Sequence, residues 1–90
     1  MITTRAITAA NQYTDLCFLT GYFNLSLSGT WVATVTVQRS FDSGATWFDV
    51  DTWTENTQEY GLEPERNVCY RVGVKAGDFT SGTIDARLSN

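Results

Sequence analysis

Ninety residues make one domain near the lower end of what folds on a single core, and leave little apolar surface for a deep catalytic cavity. A formal charge of −4 with no run of Lys or Arg argues against a phosphate-neutralising surface, and so against nucleic acid as a partner. No stretch approaches the ~20 apolar residues of a membrane helix, the absence of His rules out a Cys/His metal site, and no cofactor is expected.

Residues 1–12 alternate weakly through Ile2 and Ile7 and read either as an edge strand or as a flexible arm ahead of the Asn11-Gln12 break. The start Met-Ile-Thr-Thr-Arg has no signal-peptide core behind it, so synthesis in the cytoplasm is expected. In that compartment Cys17 and Cys69, far apart in the chain, are expected as free, buried thiols. After the apolar run Leu16 to Leu19, the alternation of Phe23, Leu25 and Leu27 with Asn24, Ser26 and Ser28 predicts a half-buried strand ending at Gly29. Trp31, Ala33, Val35 and Val37 then alternate with Val32, Thr34, Thr36 and Gln38, the clearest strand pattern in the chain.

Ser40 to Trp47 reads Ser-Phe-Asp-Ser-Gly-Ala-Thr-Trp and predicts a hairpin tip. Asp42 can accept hydrogen bonds from backbone amides of its own turn, and Gly44 can take the positive φ of a tight reversal. The return strand runs from about Trp47 to Thr54. In a regular strand Asp49, Asp51 and Trp53 share one face with Trp47, and Phe48 and Val50 the other, so either an aromatic lies outside or the strand bulges near its start.

Asn56 to Glu59 reads as a polar turn, Tyr60 to Leu62 as a short strand, and Pro64 marks a loop or edge. Residues 67–76 form a strand with Val68, Tyr70, Val72 and Val74 on a dry face and Cys69, Arg71, Gly73 and Lys75 on a wet one. Gly77-Asp78 and Ser81-Gly82 turn the chain, and residues 83–89 close it with Ile84, Ala86 and Leu88 inward. Six or seven short antiparallel strands without helical period give an all-β fold, a single small two-sheet β-sandwich over residues 1–90. A jelly roll or small barrel is the competing arrangement.

Several resemblances attach to these residues. Ser40, Asp42, Gly44, Thr46 and Trp47 match every specified position of the Asp-box, Ser-x-Asp-x-Gly-x-Thr-Trp, which recurs in sialidases and in unrelated β proteins. A sialidase propeller needs several such turns and at least about four four-stranded blades, which 90 residues cannot supply, so these five residues are read as a structural turn. The order of features over roughly residues 22–89, with a Trp early in the third strand and Cys-Tyr-Arg-Val-Gly-Val in the penultimate one, is similar to immunoglobulin-like and fibronectin type III modules.

For catalysis the chain offers little. Asp49 and Asp51 on one strand face would lie roughly 6–7 Å apart, a spacing open to paired-carboxylate chemistry, but any outward strand face places polar residues so. Without His, neither Ser40 nor Cys17 has a base suggested by sequence. Glu63 and Glu65 around Pro64 read as a loop charge cluster. The aromatics Trp31, Trp53, Tyr13, Tyr22, Tyr60 and Phe79 exceed what a small core needs, and Trp53, sharing its face with Asp49 and Asp51, is the foremost exposed candidate.

The hairpin, together with Tyr-Arg-Val-Gly-Val-Lys and the closing Ser-Gly-Thr-Ile-Asp-Ala-Arg-Leu-Ser strand, resembles small virion-associated proteins of tailed bacteriophages. That resemblance implies a non-enzymatic capsid decoration or tail-associated protein in the virion, with capsid or tail proteins and further copies of itself as partners. The alternative is a carbohydrate-binding module that stacks a cell-surface glycan on Trp53 and Tyr60.

Overall fold

The computed structural model describes all 90 residues. Nine strands and no helix make up the chain: β1 Ile2–Ile7, β2 Gln12–Tyr13, β3 Cys17–Phe18, β4 Gly21–Ala33, β5 Val35–Ser40, β6 Phe48–Trp53, β7 Thr57–Glu63, β8 Cys69–Val74 and β9 Phe79–Ser89. They form two antiparallel sheets, one ordered β1-β9-β4-β7 and one ordered β2-β8-β5-β6, with β3 also on β8. The sheets pack as an open sandwich, as the strand patterns predict, and not as a closed barrel. Residues 2–7 are an edge strand of the first sheet.

With β2 and β3 taken as one interrupted strand, the chain passes from sheet to sheet at almost every connection, and only β5 and β6 are sequence neighbours paired in one sheet. That order is the jelly-roll alternative, two interleaved Greek keys, and it corrects the immunoglobulin-like or fibronectin type III-like reading, whose sheets would pair more sequence neighbours. Ile7, Leu27, Val35, Val72, Ile84 and Leu88 are among the fully buried side chains between the sheets. Trp31, Trp53, Phe79 and Phe23 pack against this core from its margins.

Three expected boundaries move. The strand predicted to end at Gly29 continues to Ala33, so Trp31 belongs to β4, and the 31–38 segment is divided at Thr34, where the chain changes sheet. Because Leu25, Leu27, Trp31, Val35 and Val37 keep one parity throughout, the alternation does not register the change. Ser81-Gly82 is likewise no turn: β9 runs through it, opposite Trp31 and Val32, with a bulge at Thr80. Finally, β7 begins at Thr57 and takes up most of the expected polar turn, paired with β4 residue for residue without interruption.

Candidate functional site

The hairpin tip is built on one buried hydroxyl. Ser40 Oγ accepts from the N–H groups of Gly44 (2.9 Å) and Asp42 (3.3 Å) and donates to Asp42 Oδ1 (2.6 Å), which also accepts the Thr46 N–H (2.8 Å). The Ser40 and Thr46 bonds hold the Asp42 carboxyl below the usual carboxylate range. Ser43 (φ 59°) and Gly44 (φ 96°) turn the chain, and a side chain at Gly44 would press on Leu16 and the Trp47 ring. The tip folds Trp47 back over the five-stranded sheet.

There Trp47 and Tyr13 clasp Arg71 from two sides, with the guanidinium carbon 4.2 Å and 3.9 Å from the ring centroids. Arg71 Nε donates to Gln38 Oε1 (2.9 Å), Gln38 Nε2 donates to Asp49 Oδ1 (2.9 Å), and Lys75 closes the row on Asp49 Oδ2. The Lys75 and Gln38 bonds lower the Asp49 carboxyl as well. The face of β8 expected to be wet is thus partly dry: Cys69 is fully buried and Gly73 is covered by β2. Both cysteines are free and buried.

The bulge allowed for in β6 is present, and it separates the candidate residues. Gln38 pairs with Asp49 and Val37 with Asp51, leaving Val50 as the extra residue. Asp49 stands on the outer face, whereas Asp51 lies opposite the core residue Val37, so the two carboxylates do not share a face. The same inversion puts Trp53 opposite Val35 and against the core. Trp53, the foremost exposed candidate of the sequence, is therefore corrected to a core-facing residue.

Tyr60 is exposed, more so than any other large apolar or aromatic side chain (75%), and Tyr22 follows it (69%). They lie diagonally across β4 and β7 on the outer face of the four-stranded sheet, ring centroids 6.3 Å apart, with exposed Leu62 beside them. The residues the sequence does not connect are Tyr22 and Leu62, because nothing local pairs the short strand at 60–62 with a strand some 35–40 residues earlier. A second exposed group lies at the hairpin end, where Arg39, Phe41, Phe48, Asp49 and Val50 line an open depression of about 420 Å³. No group of three or more Cys, Asp or Glu is arranged to hold a metal ion.

Glu63 is corrected as well. It ends β7 with its side chain buried between the sheets, accepting from Tyr70 Oη (2.7 Å), Arg39 Nη1 (3.2 Å) and the Glu65 N–H (3.0 Å). Nothing in local sequence distinguishes it from exposed Glu65. Comparison of the chain with protein-family models, with curated proteins and with solved structures gives no match.

Proposed function

We propose that this chain is a non-enzymatic structural protein of a bacteriophage particle, a capsid decoration or tail-associated subunit that works through protein–protein contacts and as a homo-oligomer. It would be made in the host cytoplasm and reside in the virion. The observation that carries the protein-contact reading is the Tyr22, Tyr60 and Leu62 group, exposed together on the outer face of the four-stranded sheet. Clustered exposed aromatics of this kind supply the anchors of protein interfaces. Two-sheet jelly rolls also serve as viral capsid and lectin domains, a fold-level analogy that agrees with the reading without fixing it. The virion assignment itself rests on the resemblance of the hairpin and the strand pattern.

Particles purified from the phage or prophage that encodes the chain test this directly. Peptide mass spectrometry is expected to find the protein as a stoichiometric component, and recombinant protein is expected to co-sediment with particles lacking it. Its absence from clean particles would sink the proposal. Glycan binding keeps Tyr60 as its platform, now with Tyr22 in place of Trp53; specific signal on a glycan array that Tyr60→Ala removes would favour it over protein contact.

A further inference from the structure

The two sheets expose four edges, and three of them are guarded against pairing. β2 and β3 are two dipeptides split by three residues, too short for a ladder. β6 is broken by its bulge and carries Asp49 and Asp51. On β1, Arg5 turns its guanidinium to the Tyr13 carbonyl (2.9 Å) and places a cation at that edge. Bulges, short strands and charges are the devices by which edges avoid partners. β7 differs in being long and unbroken: seven residues without a bulge, Pro, Lys or Arg and with Tyr60 and Leu62 outward, its two acids being Glu59 and the buried Glu63, which Tyr70 and Arg39 already hold.

We infer that the free edge of β7 pairs with the same edge of a second copy of this chain, antiparallel about a two-fold axis at Tyr60. Two four-stranded sheets thereby become one continuous sheet. The inference rests on the homo-oligomer reading above and names its surface. The register follows from the residues. Outward residues must face outward ones, so the axis has to fall on a residue and not between two. An axis at Glu59 sets two carboxylates directly opposite, and one at Gly61 sets Glu59 against Glu63; like charges so placed destabilise a pair. An axis at Leu62 brings Tyr60 against Pro64, which has no N–H to give, and one at Gln58 leaves half the strand unpaired.

Only the axis at Tyr60 pairs all seven residues and keeps acids apart. Glu59 then meets Gly61, Gln58 meets Leu62, and Tyr60 meets itself. The most exposed aromatics align as a row, Tyr22 and Tyr60 of one copy followed by Tyr60 and Tyr22 of the other. Isologous contact of this kind closes at two subunits.

Light scattering on the purified full chain is expected to give a dimer, and Tyr60→Lys, which sets two ammonium groups at the axis, is expected to halve the mass. The exposed position leaves the core untouched, and circular dichroism checks that the variant folds. Across the axis the two Cα atoms would stand about 4.5–5.5 Å apart, within disulfide reach. Under mild oxidant Tyr60→Cys is expected to cross-link the two copies, whereas Leu62→Cys alone is not, and Gln58→Cys combined with Leu62→Cys is. A monomeric wild type, a dimer that survives Tyr60→Lys, or equal cross-linking by Tyr60→Cys and Leu62→Cys would overturn the inference. If the monomer still co-sediments with particles, the virion reading stands and only the β7 pairing falls. If Tyr60→Lys removes that co-sedimentation from a monomer, the edge receives a virion strand instead of a second copy.

Discussion

Ser40 carries more of the hairpin than its size suggests. Its hydroxyl is fully buried and serves two backbone N–H groups and one carboxylate at once. Ser40→Ala removes that acceptor and leaves the half-buried Gly44 N–H without its protein partner, a loss of about 1 kcal/mol. Urea denaturation is expected to show a lowered midpoint with an unchanged slope, since the unfolded chain exposes the same surface. A variant as stable as wild type would mean that water replaces the hydroxyl. Because the tip lies on the five-stranded sheet, any binding by Tyr22 and Tyr60 on the other sheet is expected to persist in the folded variant.

Where β4 crosses β9, two glycines allow a pair of long strands to stay together. Gly29 has φ 106° and Gly82 φ 94°, and a Cβ on either would collide with a backbone carbonyl of the facing strand, Thr83 and Thr30 respectively. Gly77, with φ 85°, faces open space. Gly82→Ala therefore carries both a disfavoured φ, about 1–3 kcal/mol, and a backbone clash, while Gly77→Ala carries only the first. Chemical denaturation is expected to rank Gly82→Ala well below Gly77→Ala; equal losses would show that the strands separate easily at this point. The two glycines also explain what could be read in advance. A Gly in a period-two pattern signals a turn as readily as a close approach, and only the facing strand tells which. The Ser40 to Trp47 tip was legible because its bonds are local. The inward sets of β8 and β9 were legible because each lies in one sheet. The bulge at Val50 and the β4–β7 pairing depend on partners far along the chain, and with them went the placement of Trp53 and the joining of Tyr22 to Tyr60.

Across the molecule the two sheets are held by apolar packing and by one buried polar clasp, in which Glu63 of the four-stranded sheet accepts from Tyr70 and Arg39 of the other. Burial, and then the bond to Glu63, pushes the Tyr70 phenol up to about 12 from 10.0. The folded state therefore favours the protonated phenol. Its contribution is complete below about pH 10, where the unfolded chain also keeps the proton, and is lost as pH rises from about 10 to about 12. The Tyr70 phenol is expected to ionise only at strongly alkaline pH, with its phenolate absorbance appearing together with loss of the folded circular dichroism signal. Tyr70→Phe keeps the ring packed 4.8 Å from that of Phe23 and leaves Arg39 on Glu63, so it is expected to cost only about 1 kcal/mol at neutral pH. It is also expected to abolish the late alkaline step. Were the Tyr70 phenol of the wild type to ionise near pH 10 with the fold intact, the clasp would be open to water, and the sheets would be joined by their apolar faces alone.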